Sequence, residues 1–118
     1  MQLWGEGIRA YNVKEIAYAE NGRLVWLNGV QLQHIIDKHW DDFRDYLSIS
    51  VEGIPVVSEE TIIGTIFDFL TNQQPKVTGD TYSYRFWFSL FDRFRDVEHT
   101  FDIVVNDQGM IVTAFVPD

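Results

Sequence analysis

Two short apolar runs near the start of the chain are separated by a turn signal. They cover residues 13–19 and 23–27 and flank Asn21-Gly22. Asn-Gly is the strongest short-range signal for a hairpin, because both residues tolerate the positive φ angles of a tight turn. A second Asn-Gly pair, at 28–29, ends the second run. The pattern therefore predicts an N-terminal β-hairpin.

A helical pattern follows from Gln31 to Leu47. Apolar side chains, with His39 among them, recur here at spacings of three and four residues, while Lys38 and several aspartates lie opposite. This spacing is typical of an amphipathic helix with a wide apolar stripe. The residues of the stripe are Leu32, Ile35, Ile36, His39, Trp40, Phe43, Tyr46 and Leu47.

A second helix is predicted to begin after Ser58. Serine is a favourable N-cap residue, and the two glutamates that follow place negative charge in the first turn, where it suits the helix dipole. The apolar positions from 62 to 70 leave little polar face, so this helix should be well buried. We expect residues 48–57 to form an extended connection and residues 72–80 a polar loop.

From Thr81 the period of the pattern becomes two. Aromatic and apolar residues from 82 to 90 alternate with polar residues and a tryptophan, as in a strand with one buried face. Arg85 belongs to the second set, on the same side as Trp87. Residues 92–96 keep alternating, so they either extend this strand or form a wide, exposed turn.

The end of the chain predicts a closing hairpin. Residues 101–105 and 110–116 are apolar runs joined by a turn at Asn106 to Gly109. The order of elements is then a hairpin, two helices and at least three antiparallel strands. This order predicts an α+β fold with the helices packed on one face of an antiparallel meander. With 118 residues, the chain has room for one domain, residues 1–118.

Composition and charge narrow the functional classes. The chain has no cysteine, which excludes disulfides, thiolate metal sites and a cysteine nucleophile. No apolar run reaches the ~18 residues of a membrane span, and no export signal is evident at the start, so we expect a cytoplasmic protein. The net charge of −9 favours basic partners and disfavours polyanions, unless basic residues converge in space.

The motifs of several large enzyme classes are absent. The sequence contains no phosphate-binding loop, no dinucleotide fingerprint, no nucleophile elbow and no His-Glu-x-x-His zinc motif. The histidines are His34, His39 and His99. His34 and His39 are five residues apart, which on a regular helix turns their side chains well away from each other. Joint metal ligation by this pair is therefore not expected.

Two histidines of the first helix have alternative interpretations. His39 lies within the apolar stripe, so it is either a core-edge histidine held by one hydrogen bond or a partly buried general acid or base. His34 lies at the flank of the stripe, where a solvated surface histidine is the simpler interpretation.

The strands offer two further candidates. Arg85 is either an exposed arginine stacked on Trp87 or a cation placed to neutralise a phosphate, for which its planar fork is suited. Thr113 shares a predicted strand face with Ile111 and Phe115. It is either a residue of high β-propensity or a hydroxyl that takes part in a site.

Three segments occur in a suggestive order. A histidine-bearing helix (His-Ile-Ile-Asp-Lys-His, residues 34–39) is followed by an arginine-bearing strand and by a hairpin that ends in Gly-Met-Ile-Val-Thr-Ala-Phe, residues 109–115. This arrangement resembles the superfamily of small nucleases that includes barnase, EndoU, the tRNA-cleaving colicins and RelE. Bacterial toxin and phage domains of that group look similar, with His-Ile-x-x-x-His on a helix and Gly-x-Ile-x-Thr-Ala-Tyr/Phe in the last strands. The resemblance covers roughly residues 31–117.

The resemblance implies an endoribonuclease that needs neither metal nor cofactor. His39, or His34, would be the acid/base on the helix, and Thr113 would contact the scissile phosphate. Arg85, Arg93 or Arg95 would supply the phosphate-binding cation. The ribose 2′-hydroxyl would attack the phosphorus to form a cyclic phosphate, so RNA would be cleaved and DNA spared. Such a domain could act as a delivered toxin.

The acidic charge favours an alternative, a non-enzymatic inhibitor or immunity-type protein that binds a basic partner protein. Nuclease toxins of the resembling group tend to be basic, whereas this chain carries only three lysines. Complementary charge speeds the encounter of an acidic inhibitor with a basic surface. The acidic site would be the polar side of the first helix, with Asp37, Asp41, Asp42 and Asp45, or else these residues form an ordinary solvated helix face.

Overall fold

The computed structural model describes residues 12–47, 49–51, 54–79, 83–92 and 97–117. The first described element is the predicted hairpin, in which β1 (Val13–Tyr18) pairs antiparallel with β2 (Leu24–Asn28). Gly22 has φ +85°, as the tight turn requires. The N-terminal hairpin predicted from the first Asn-Gly pair is therefore confirmed.

The second Asn-Gly pair starts the first helix, α1 (Gly29–Asp42). The side chain of Asn28 accepts a hydrogen bond from the backbone N–H of Gln31 at 2.7 Å, which caps the helix. The sequence predicts one helix to Leu47, but regular helix ends at Asp42 and a π-helical turn, Phe43–Leu47, continues it.

The second helix, α2 (Glu59–Asn72), begins as predicted. Ser58 is its N-cap, and the backbone N–H of Thr61 donates to the Ser58 hydroxyl while Ser58 N–H donates to the Thr61 hydroxyl. Before this helix, residues that were expected to form an extended connection pair as two short strands, β3 (Ile49–Val51) and β4 (Ile54–Val56).

Four antiparallel strands form the largest sheet, in the order β5-β6-β7-β8. They are β5 (Lys76–Gly79), β6 (Ser83–Asp92), β7 (Val97–Asn106) and β8 (Ile111–Phe115). The predicted meander is thus confirmed and has one strand more than the sequence pattern marks. The extra strand, β5, lies within residues 72–80, which were expected to form a polar loop. All four of its residues are exposed, and backbone pairing with β6 makes it a strand. Residues 93–96, whose extended or turn conformation was left open, lie outside the described residues.

One face of this sheet is the core face. Phe86 and Phe88 of β6 and Phe101 of β7 are buried there, in one cluster with side chains from both helices and from β2. Phe69 of α2 packs its ring at 5.2 Å from Phe88 and 5.1 Å from Phe101, and Phe43 lies 5.8 Å from Phe101 between ring centroids. The prediction that helices pack on one face of the sheet is confirmed.

The first and last hairpins of the described chain meet at Trp26. Its backbone N–H donates to the carbonyl of Gly109 at 2.9 Å, and its indole N–H donates to the carbonyl of Gln108 at 3.1 Å. Gly109 has φ +88°, and a Cβ built on it would lie 2.3 Å from the carbonyl oxygen of Leu24. Glycine is therefore required both by the turn and by the close approach of β2. Among the described helices, neither has the length and apolar character needed to cross a membrane.

Candidate functional site

The face of the four-stranded sheet opposite the core, here called the outer face, carries polar and aromatic side chains in rows. Antiparallel register places Lys76 opposite Trp87, Trp87 opposite Asp102, and Asp102 opposite Phe115. Directly opposed residues of neighbouring strands project from the same face. One row therefore crosses all four strands, from a cation at the β5 edge to an aromatic ring at the β8 edge.

Phe115, at the end of this row, is where two of the predicted site residues meet. The imidazole of His39 is stacked on its ring, with centroids 5.4 Å apart and planes inclined by 28°. The guanidinium carbon of Arg85 lies 5.6 Å from the centroid of the same ring. α1 packs along β8 and Arg85 extends from β6, so helix and sheet together bring a base and a cation to one aromatic side chain.

Arg85 is held by a buried carboxylate. Its Nη1 lies 3.1 Å from Oδ2 of Asp102, whose side chain is only 5% exposed, whereas that of Arg85 is 47% exposed. The other carboxylate oxygen, Oδ1, accepts a hydrogen bond from the hydroxyl of Thr100 at 2.7 Å. Arginine has five N–H donors, so this pairing leaves others available on the exposed side. The alternative interpretation of Arg85 was an exposed arginine stacked on Trp87. In the structure the cation over Trp87 is the ammonium of Lys76, 4.8 Å from the ring centroid, while Arg85 lies at the ring of Phe115.

His39 is partly buried, and its surroundings act on its protonation. Burial lowers the pKa of His39 below the ordinary 6.5, while the carboxylate of Asp42 raises it and nearby His34 and Lys38 lower it. The Nδ1 atom of His39 lies 3.7 Å from Oδ2 of Asp42. The net lowering of the pKa keeps the imidazole mostly neutral at pH 7, in the form that can accept a proton.

The expectation that His34 and His39 point well away from each other is wrong. Their ring centroids are 5.6 Å apart in an edge-to-face arrangement. The reason is local: His39 has non-helical backbone angles, φ −129° and ψ 15°, which kink α1 and turn its ring relative to a regular helix. Among the described residues, no group of three or more His, Asp or Glu side chains is placed to hold a metal ion.

Thr113 lies on the outer face, two strands from Arg85. Both residues are directly opposite Val104 in the register, Arg85 on β6 and Thr113 on β8. A β-bulge between Val104 and Val105 makes Val112 the extra residue of β8. Ile111 consequently turns into the core, fully buried, and does not share the face of Thr113 as the sequence suggested. The hydroxyl oxygen of Thr113 is buried and has no hydrogen-bond partner among the described residues.

Two predicted cations, Arg93 and Arg95, lie outside the described residues. His99 projects to the core side of β7, where its ring packs 4.7 Å from that of Tyr46. It therefore takes no part in the outer face.

The acidic residues of α1 are partly neutralised. Arg44 lies 3.3 Å from Asp41 and 2.9 Å from Asp45, in both cases between a guanidinium nitrogen and a carboxylate oxygen. Asp42 accepts a hydrogen bond from the backbone N–H of Val116 at 3.1 Å. This bond connects α1 to the residue that follows β8. Asp37 is exposed and accepts from the side chain of Gln33.

Sequence reasoning missed Asp102 and Phe115 as members of this site. The signal for Asp102 was present, as a single carboxylate between apolar residues in a predicted strand. A charge at such a position requires a partner, and an arginine on the neighbouring strand can provide it. The sequence pattern put Phe115 on the same strand face as Thr113, as the structure has it. Its contact with His39, however, depends on how α1 packs against β8. Comparison of the chain with protein-family models and with curated proteins found no match.

Proposed function

We propose that this protein is a small, metal-independent endoribonuclease-like domain of the toxin type and that RNA binds on the outer face of its sheet. The observation that carries the proposal is the meeting of His39 and Arg85 on Phe115. His39 offers a proton acceptor and Arg85 an anion-binding group, and each of them contacts the same aromatic ring.

In the proposed reaction, His39 takes the proton of the ribose 2′-hydroxyl. The 2′-oxygen then forms a bond to phosphorus while the bond from phosphorus to the 5′-oxygen breaks, which leaves a 2′,3′-cyclic phosphate. His34, the second imidazole of α1, donates a proton to the departing 5′-oxygen. The two histidines return to their starting states by exchanging protons with water.

Arg85 neutralises the charge that builds up on the phosphate oxygens. Its pairing with Asp102 supports this role by holding the guanidinium in one orientation, while its exposed donors remain free to reach a phosphate. The hydroxyl oxygen of Thr113 is shielded from solvent. A contact of this hydroxyl with the phosphate therefore requires that RNA binding uncover it.

The test is cleavage of RNA by the purified protein in excess EDTA, with single-stranded DNA of the same sequence as the negative control. We expect His39→Ala to reduce the rate by about 10²- to 10⁴-fold, the usual contribution of general acid–base catalysis. His99→Gln is the matched histidine control and should retain activity, and circular dichroism should show that both variants fold. Intact RNA in EDTA, or cleavage unaffected by both His39→Ala and Thr113→Ala, would contradict the proposal.

A second candidate function is the acidic inhibitor or immunity-type protein. It is supported by the carboxylates that remain exposed on the helices, including Asp37 of α1 and the first-turn pair Glu59 and Glu60 of α2. This function requires a stable complex with a basic protein and no RNA cleavage. The rate of association should fall steeply as salt is added, since exposed charges are screened. A complex that is insensitive to salt would argue against it.

A further inference from the structure

We propose that the substrate is single-stranded RNA and that Trp87 is the residue on which one of its bases stacks. This inference rests on the proposed function and adds to it the conformation of the substrate and a binding residue outside the reacting centre.

Trp87 lies in the same row as Phe115, two strands away, and the row faces outward. At a strand spacing of ~4.8 Å, the two aromatic residues are separated by roughly 10 Å across the sheet. Asp102 lies between them in the row and is buried, so no exposed side chain of the row interrupts the path from one to the other. A nucleotide next to the one at His39 and Arg85 can therefore place its base at Trp87.

The cation beside Trp87 completes a binding subsite. Lys76 is exposed and its ammonium lies over the indole, 4.8 Å from the centroid. An ammonium on a flexible, solvated side chain can leave the ring for a phosphate, which gives the base access to the ring face. Base–aromatic stacking is tolerant of sequence, because every base has a π-face.

The outer face is less acidic than the chain as a whole, which carries −9. Lys76 and Arg85 are exposed there, and the carboxylate between their strands and β8, Asp102, is already paired. Glu98 lies on the same face, four residues before Asp102 in β7. Asp42 of α1 lies beside His39, where its carboxylate accepts from the backbone N–H of Val116.

The structure favours a single strand over a duplex for a steric reason. Bases within a duplex are stacked on each other and are not available to an aromatic side chain, whereas the bases of a single strand can be splayed onto one. The row runs across four adjacent strands of the sheet, a length on which an extended RNA strand can lie.

Binding can be measured apart from cleavage with a fluorescein-labelled, single-stranded 2′-O-methyl RNA, which has no free 2′-hydroxyl to attack. We expect Trp87→Ala to weaken binding by roughly 5- to 150-fold, the effect of losing one stacked base, and Trp87→Phe to retain much of the affinity. The matched control is Tyr18→Ala, because Tyr18 is 70% exposed on β1, away from the outer face. Lys76→Ala should reduce the slope of log affinity against log salt by about one.

Equal affinities of the native, Trp87→Ala and Trp87→Phe chains for this probe would overturn the inference, as would equally tight binding of duplex RNA. In either case the proposed function would stand if the native chain still cleaves RNA in EDTA. If the native chain neither binds the probe nor cleaves RNA, the proposed function fails and the inference fails with it. Should Trp87→Ala not fold, tryptophan fluorescence decides: RNA should quench the native emission more than that of Trp87→Phe, and equal quenching would refute stacking.

Discussion

At the scale of single residues, the packing of His39 and its protonation are linked. Its ring packs on Phe115, and that burial lowers its pKa, while Asp42 opposes the lowering. The neighbouring imidazole of His34 acts in the same direction as burial. The protonation of His39 is therefore set by groups whose individual contributions can be removed by nearly isosteric substitutions.

Asp42→Asn and His34→Gln should shift the pKa of His39 in opposite directions. Asp42→Asn removes a carboxylate that favours the imidazolium, so the pKa should fall further, while the asparagine oxygen can still accept from Val116. His34→Gln removes a second positive charge at low pH, so the pKa should rise. Titration of the His39 ring protons by NMR measures both shifts. Shifts in the same direction would show that the charges of these neighbours do not control His39.

The lowered pKa of His39 also has a consequence for stability at acid pH. Between the folded pKa and the unfolded value of 6.5, the unfolded chain binds more protons than the folded chain at this site. The free energy of unfolding should therefore decrease as pH falls through this range, by the linkage relation. His39→Gln should make the pH dependence shallower between pH 7 and pH 5 in urea unfolding. An unchanged slope would mean that His39 is not perturbed.

Asp102 should matter for stability as well as for the proposed site. Asp102→Ala leaves the Thr100 hydroxyl and the Arg85 guanidinium without their buried partner, and we expect a loss of about 1–3 kcal/mol in the free energy of unfolding. Glu98→Ala, at an exposed position of the same strand, is the control and should change stability by about 0.5 kcal/mol or less. If Asp102→Ala and Glu98→Ala changed the free energy of unfolding in urea equally, the contacts of Asp102 with Arg85 and Thr100 would contribute nothing to stability.

The candidate residues could be predicted individually, but their environment could not. His39, Arg85 and Thr113 stand out by residue type and by position in periodic segments. The accessibility of the Thr113 hydroxyl could not be predicted, because a bulge shifts the register of β8 and nothing in an alternating pattern marks it. Bulges add one residue without a sequence signature as strong as that of a tight turn.

At the scale of secondary-structure elements, the turn of the last hairpin should tolerate replacement of its glycine less well than the turn of the first. Gly22→Ala should cost about 1–2 kcal/mol, the strain of a left-handed backbone, since nothing lies within 4 Å of its added Cβ. Gly109→Ala carries the same strain and also forces the turn away from Leu24, so we expect a cost of about 3 kcal/mol or more. Thermal unfolding of the two variants makes the comparison. A cost at Gly109 no greater than at Gly22 would contradict the close approach.

The elements that the sequence predicts well are those with strong local signals. Asn-Gly turns, the Ser58 cap and the period-two strands all depend on residues close together in the chain. The exposed strand β5 and the pair β3 and β4 depend on partners instead, so periodicity does not reveal them. The end of α1 at Asp42, five residues earlier than predicted, follows from the kink at His39 and the π-helical turn after it.

At the scale of the whole molecule, net charge and local charge differ. The chain carries −9, yet the exposed cations Lys76 and Arg85 lie on the outer face, where Asp102 is paired with Arg85 and Glu98 is exposed. A binding surface is determined by the field at that surface and not by the total charge. The overall acidity therefore bears on solubility and on long-range approach, and it leaves room for an anion on the outer face.

The contact between Trp26 and the last turn also affects how the chain is made. The indole of Trp26 and its partner Gln108 are 82 residues apart. At ribosomal rates of about 5–20 residues per second, the first hairpin emerges about 4–16 s before its partner exists. Val25 and Leu27, which are fully buried in the finished protein, remain without their cover during this time. The nascent chain must therefore keep apolar surface exposed for seconds, and its early hairpin is the segment that a chaperone would be expected to hold.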